Sequence, residues 1–236
     1  MESLAGKFAI VTGGTRGIGR AIAERLLQDG AAVAICGREQ ESVDRAVEEM
    51  RGKGKIVGAV ADISQLESVR DLFATVDEAF GALDILVNNA GMGLFKKVGE
   101  MTPEEWHRNI DLNLSGPFYC THEALARFTR RGGGFVVNIS SLAARNPFSG
   151  GAAYNASKFG LNGFTEALML DHRNDNVRVS SIMPGSVDTD FSGHASADAS
   201  WKIAPEDIAE AVLLVLRMPA RTTISRMEVR PSKPKK

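Results

Sequence analysis

Tyr154 and Lys158, four residues apart in YNASKFG, pair a phenol with a primary amine and are suited to moving a proton. On a helix that spacing puts both side chains on one face. A phenol of reference pKa ~10 is a weak base near neutrality, but a nearby ammonium stabilises its phenolate and brings it into working range. In the opposite direction the neutral phenol gives its proton to a developing alkoxide. Upstream, VVNISS ends in two hydroxyls, Ser140 and Ser141. A hydroxyl leaving the carboxyl end of a parallel strand points into the ligand crevice, so one of them is placed to hold a substrate oxygen.

A second chemical feature is glycine-rich. TGGTRGIG sets Gly13, Gly17 and Gly19 directly after a short β-branched run, and Ile18 begins an apolar helical face. In that context a pyrophosphate can rest on the free N–H groups of the helix start, favoured by the dipole, provided no Cβ blocks its approach. A tight turn with nothing bound would use the same residues. Roughly 20 residues further on, a ribose 2′-hydroxyl would require an acidic side chain. The sequence has Gly37 and Arg38 there instead. Arg38, with Arg16 inside the turn as a second cation, suits a 2′-phosphate, so the expected cofactor is NADP(H), preferred over NAD(H). Glu39 sets a negative charge against this, and a partnerless surface arginine is the plain alternative reading of Arg38.

Positioning these groups requires a scaffold, and the chain alternates short apolar runs with helical spacing, the pattern of parallel strands crossed by helices. Strands are expected at Phe8 to Val11, Ala32 to Cys36, Ile56 to Val60, Ile85 to Val87, Phe135 to Ile139 and Val177 to Ile182, with a last one within Ile224 to Val229. Ile18, Ala21, Ile22 and Leu26 mark one helix, and another lies near Glu41 to Arg51. Ser64 with Glu67, and Thr102 with Pro103 and Glu105, predict helix starts by capping boxes, and Pro205 opens a further helix. The expected fold is α/β: a Rossmann-type doubly wound parallel sheet in a three-layer α/β/α arrangement.

At 236 residues the length suits one domain, taken as 1–236 with a flexible basic tail at 230–236. Lys plus Arg number 28 and Asp plus Glu 29, a net charge of −1, so no nucleic-acid footprint is visible. Hydrophobic residues at 44% and charged ones at 24% argue against disorder. No run of eighteen apolar residues occurs, and the start MESLAGKFAIVTGG lacks a signal pattern, so no membrane partner and a cytoplasmic location are expected. Cys36 and Cys120 read as ordinary buried thiols. His107, His122, His172 and His194 show no metal-ligand spacing, and no metal is expected.

Taken together, TGGTRGIG, Asp62 after the third strand, NNAG at Asn88 to Gly91, Asn113 in NLSG, NISS, YNASK and PGSVDT at Pro184 to Thr189 resemble the classical short-chain dehydrogenase/reductase family. The match runs from the first strand to about residue 190 and is looser beyond. The resemblance implies that Tyr154 is the general acid/base, that Lys158 lowers its pKa while bonding the nicotinamide ribose, and that Ser141, rather than Ser140, polarises the carbonyl. Asn113 would interrupt its helix and hold a water linking Lys158 to solvent. The cofactor would be bound by Gly13, Thr15, Arg16, Gly17, Ile18 and Gly19 in the turn, and by Arg38. Asp62 and Ile63 would meet adenine, Asn89, Ala90 and Gly91 would border the cofactor, and Pro184, Gly185, Val187 and Thr189 would wrap the nicotinamide.

The activity implied is reversible hydride transfer between NADP(H) and a small-molecule carbonyl or secondary alcohol, of a 3-oxoacyl or 3-hydroxy acid type. The pocket would be formed near Gly93 to Val98, Ala143 to Gly151 and Phe191 to Trp201. Phe95, Phe148 and Phe191 either line it or belong to the core, and Trp201 either packs or borders substrate. A catalytically silent NADP-binding redox sensor or scaffold is the alternative, and it predicts a damaged Ser, Tyr or Lys, which is not found. The ending TTISRMEVRPSKPKK departs from the paired-glycine strand of many relatives. A homodimer or homotetramer is still implied, with a dimer through the helices of Asn113 and Tyr154.

Overall fold

The computed structural model describes residues 3–189, 191 and 199–234. His194, most of the segment between Phe191 and Trp201, and Lys235 and Lys236 lie outside the described residues. The elements follow in the expected alternation: β1 (Phe8–Thr12), α1 (Gly17–Gln28), β2 (Ala32–Gly37), α2 (Gln40–Met50), β3 (Ile56–Val60), α3 (Leu66–Phe80) and β4 (Ile85–Asn88). Then come α4 (Pro103–Ile110), α5 (Gly116–Arg131), β5 (Gly134–Ile139), α6 (Ala152–His172), β6 (Val177–Pro184), α7 (Pro205–Leu216) and β7 (Arg226–Val229).

The seven strands form one parallel sheet in the order β3-β2-β1-β4-β5-β6-β7. Side chains alternate across a strand, so each central strand feeds two cores. Val11, Val33, Ile35 and Val137 meet α1 and α7 on one face, whereas Ile10, Ala34, Leu86 and Val136 meet α3 and α5 on the other. That is why the strands read as continuously apolar. The order reverses between β1 and β4, and at such a switch point the connections leave in opposite directions and open a crevice beyond the strand ends.

Buried amides inside the sheet are linked to one another. Asn88, opposite Asn138 in the β4–β5 ladder, donates from Nδ2 to Asn138 Oδ1 at 2.8 Å and to Thr121 Oγ1 at 3.2 Å. Asn138 in turn donates to Thr165 Oγ1 at 2.8 Å, so β4, β5, α5 and α6 share one buried hydrogen-bonded chain.

One helix start is as expected and one is not. Thr102 and Glu105 form the capping box, with Pro103 at the first helical position. Ser64 does not cap α3: its N–H and hydroxyl both donate to Asp62 Oδ1, at 3.0 and 2.7 Å, and the cap position falls to Gln65. A nearby carboxylate is the stronger acceptor, so Ser64 closes an Asx turn instead. The C-terminal segment follows the edge strand β7, and Pro231 lies against Gly185, where a Cβ would come within 3.0 Å of its ring. Among the described residues no helix is long and apolar enough to cross a membrane.

Candidate active site

Beyond the carboxyl ends of the strands lies a cleft of about 1610 Å³. Every site residue expected from the sequence lines it except Asn113, which is fully buried behind it.

At one end of the cleft is the β1–α1 turn. Gly13 and Gly17 have φ of +65° and +55°, in the left-handed region that only glycine enters cheaply. A Cβ on Gly19 would stand 2.3 Å from both Asn89 Nδ2 and Gly13 O, so the turn closes only with hydrogen there. The reciprocal piece is Asn89, whose Nδ2 donates to the carbonyls of Thr12 and Gly13 at 2.9 and 3.3 Å. Thr12 Oγ1 accepts the N–H groups of Asn89 and Ala90, both at 3.0 Å. Thr12 was not singled out in the sequence, because a threonine at a strand end carries no motif of its own. Helix α1 has no side-chain cap and no acidic residue in its first turn. Its first amides and positive dipole end therefore face the cleft without a built-in anion.

Arg16 and Arg38 flank this end, both exposed and neither in an ion pair among the described residues. Glu39, the expected opposing charge, instead accepts a hydrogen bond from Ser42 at 3.3 Å. Asp62 is on the adjoining wall with Oδ1 engaged by Ser64. Shape and charge here fit a phosphorylated dinucleotide: a turn with glycine at 13, 14, 17 and 19, open amides, and two guanidiniums outside any ion pair among the described residues. Cys36 beneath the turn is buried, and desolvation pushes its thiol up to about 11, so it is inert.

The middle of the cleft holds Ser141, Tyr154 and Lys158. Ser141 follows β5 and accepts the Ala143 N–H at 3.1 Å. Its hydroxyl also hydrogen-bonds the Tyr154 phenol, which favours the phenolate, but burial outweighs that and the Tyr154 pKa is raised above its ordinary value. Ser140, by contrast, is buried with its hydroxyl lacking a partner among the described residues. Lys158 extends under the ring, its Nζ 5.8 Å from the ring centroid and donating to the Ile139 carbonyl at 3.0 Å. Desolvation lowers its pKa to about 8. The lysine therefore is the group most shifted toward neutrality, and the phenol is held protonated. The expected lowering of the Tyr154 pKa by Lys158 is not present in this arrangement, in which the amine faces a carbonyl and burial governs both groups.

Asn113 sits in a π-helical turn, Asp111–Ser115, that interrupts the run from α4 into α5. The interruption was expected; the use of the side chain was not. Its Oδ1 accepts the Met92 N–H at 2.8 Å, while Nδ2 donates to the Met92 carbonyl at 2.8 Å, to Asn109 Oδ1 at 2.8 Å and to Ser157 Oγ at 3.1 Å. Ser157 then donates to the Tyr154 carbonyl at 2.8 Å. The asparagine thus fixes the strand exit that borders the cleft to the helix that carries Tyr154. Ser157 went unread, since a small hydroxyl between Tyr154 and Lys158 looks like a spacer.

At the far end, Phe95, Phe148 and Phe191 surround Tyr154, their ring centroids 5.5, 6.5 and 6.0 Å from its own. Each is about 44–45% exposed, which places them on the cleft wall rather than in the core. Trp201 also borders the cleft, while Val98, at 76% exposure, does not line it. Arg230, Pro231 and Pro234 edge the opening. Among the described residues no group of three or more His, Cys, Asp or Glu is placed to hold a metal ion.

Comparison with known proteins agrees with this geometry. The model of the family described as short chain dehydrogenase matches residues 7–200. Dehydrogenase/reductase SDR family member 4 of Oryctolagus cuniculus is 42% identical over 193 residues, 81% of this chain and 74% of that protein. A 3alpha-hydroxysteroid dehydrogenase of Mediterraneibacter gnavus is 38% identical over 226 residues, 90% of each. Among solved structures, the alcohol dehydrogenase from the archaeon Thermococcus sibiricus complexed with 5-hydroxy-NADP superposes with a TM-score of 0.90 at 30% identity, covering 98% of this chain and 99% of that one.

Proposed function

The chain belongs to the short chain dehydrogenase family, and we propose that within it the protein is an NADP(H)-dependent oxidoreductase interconverting a carbonyl and a secondary alcohol. The observation that carries this reading is the hydrogen-bonded Ser141–Tyr154 pair at the centre of a cleft whose other end is a turn with glycine at 13, 14, 17 and 19, flanked by two unpaired guanidiniums. The archaeal alcohol dehydrogenase complexed with 5-hydroxy-NADP supports the choice of cofactor.

When bound, the nicotinamide would supply or accept the hydride. The turn residues 13–19 hold the pyrophosphate, Arg16 and Arg38 the 2′-phosphate, and Asp62 and Ile63 the adenine. Asn89, Ala90 and Gly91 keep the floor of the groove, and Pro184, Gly185, Val187 and Thr189 enclose the nicotinamide end. Ser141 Oγ and Tyr154 Oη both donate to the substrate carbonyl oxygen, stabilising negative charge as it develops. Tyr154 then releases its proton to that oxygen, giving the alcohol. The phenol, its pKa raised by burial, holds that proton at neutral pH. Lys158 anchors the ribose and, with a pKa near 8, passes a proton back toward the phenolate. The π turn at Asn113 gives that relay its route to water, and the mechanism needs no metal.

The shortness of the segment before Trp201 supports a small substrate, such as a 3-oxoacyl compound or 3-hydroxy acid with or without a ring on the carbonyl carbon, over a bulky one. Exposed Phe118, Phe159 and Leu170 on α5 and α6 support assembly of at least two copies through those helices. A screen of carbonyl compounds at fixed NADPH, read by loss of reduced-nicotinamide absorbance, tests the activity. Turnover of at least one ketone and tighter binding of NADPH than of NADH are expected. Binding of NADPH with no turnover of any carbonyl would leave the silent sensor as the better account.

A further inference from the structure

We propose that the substrate presents a flat aromatic ring directly beside its carbonyl, held by Phe95, Phe148 and Phe191; this rests on the reading of Tyr154 as the proton donor.

The three rings come from three separated segments yet converge on the ring of Tyr154. Phe95 meets Tyr154 edge-on, with an interplanar angle of 79°. It also meets Phe148 edge-on at 5.5 Å between centroids, and Phe191 stands edge-on to Tyr154 at 61°. Nearly half of each phenylalanine faces the open cleft. Three large apolar side chains left half-wet at one point of a surface mark a binding site rather than a core.

The wall is also built to stay in place. A Cβ on Gly93 would lie 2.6 Å from Phe95 Cζ and 2.8 Å from Phe191 Cε1, and one on Gly151 would lie 2.7 Å from Phe148 Cε2 and Cζ. The far ends of the rings thus rest close against the backbone at Gly93 and Gly151, where a Cβ would push them aside. A backbone bridge from Lys96 to Gly151 ties the Phe95 segment to the Phe148 segment. Rings fixed at a mutual tilt present their edges and faces at set angles. Edge-to-face and offset contacts reward a flat π-system with matching faces, while a puckered saturated ring of similar size receives only the non-directional apolar contribution. The directional part amounts to roughly three- to tenfold in affinity.

Acetophenone and cyclohexyl methyl ketone make the discriminating pair, with ethyl acetoacetate as a carbonyl lacking any ring. Conjugation leaves acetophenone the less electrophilic ketone, so any preference for it arises from binding. The expected result is a kcat/KM about three- to tenfold higher for acetophenone than for cyclohexyl methyl ketone, expressed mainly in KM. Calorimetric titration of 1-phenylethanol and 1-cyclohexylethanol into protein saturated with NADPH, a combination that cannot react, should show the same order. Phe95→Leu and Phe148→Leu keep an apolar wall but remove the ring edges, and should each bring the aryl preference down severalfold toward unity. Equal treatment of the two ring ketones, or retention of the preference in both leucine variants, would overturn the inference while leaving the oxidoreductase reading intact. Absence of turnover of all three carbonyls, with NADPH bound, would overturn both.

Discussion

At the nucleotide end of the cleft the chain contributes mostly backbone: positive φ at Gly13 and Gly17, uncapped amides at the start of α1, and a close approach at Gly19 that a single methyl would block. At the substrate end it contributes mostly side chains, three phenylalanines from three segments gathered about one phenol. The first kind of site restricts residue type position by position, because backbone conformation and clearance admit few alternatives. The second restricts only the sum of shapes, so many sequences could form it and the chemistry it selects can change by one ring. The middle of the cleft belongs to neither kind, since Ser141, Tyr154 and Lys158 depend on charge and burial.

The largest effect expected is at that middle. Tyr154→Phe keeps the ring and its aromatic contacts but removes the proton, and turnover should fall by about 10²- to 10⁴-fold. Fluorescence titration should show NADPH affinity within a few-fold of the parent. A residual rate above a tenth of the parent would remove Tyr154 from the proton path and the distinction between middle and wall with it.

Next in size is the cost of burying Lys158. Its pKa in the folded protein is about 8 against 10.5 when exposed, so below pH 8 the fold carries the penalty of a buried ammonium, about 3 kcal/mol from the size of the shift. Between pH 8 and 10.5 the unfolded chain binds the extra proton, and stability rises with pH. Lys158→Met should flatten that rise, as measured by chemical unfolding at pH 7 and pH 10 with both proteins. If the difference between them is the same at the two pH values, the ammonium is better solvated than its burial implies.

Smaller effects separate the two ends. Gly19→Ala should lower stability by about 1–3 kcal/mol through overpacking against Asn89 and Gly13 and should weaken nucleotide binding, followed by thermal unfolding and titration. Should the alanine variant bind NADPH as well as the parent does, the clearance argument at this end fails. Smallest is Arg38→Ala, expected to reduce NADPH affinity by about tenfold while leaving NADH unchanged. Since both arginines are exposed, added salt should shrink that difference. Equal losses for the two cofactors would mean that Arg38 steadies the turn instead of reading a phosphate.

The same division explains what the sequence made legible. Strand positions, the glycine turn and the capping box at Thr102 depend on local chemistry, and each lies within a residue or two of its expected place. Ser64 misled because the residue that decides its role is Asp62, whose carboxylate competes for the same donors. The phenylalanines were ambiguous for a different reason: a large apolar side chain reads alike whether it faces the core or a cleft, and only three-dimensional convergence on Tyr154 separates the two. Thr12, Ser157 and the side-chain use of Asn113 were hidden because each acts by holding another segment's backbone, which no spacing along the chain reveals.

The paired amides of Asn88 and Asn138 bear on how the chain finds its alignment at all. Strands that are oily on both faces lack the in–out alternation that ordinarily penalises a one-place slip. A slip of β4 against β5 would separate these two amides and strand both in a dry interior, at roughly 1–3 kcal/mol for each lost partner. They thus act as a vernier mark inside an otherwise featureless sheet. Replacing both with leucine could leave the folded protein tolerably stable while making misaligned sheets more competitive during refolding.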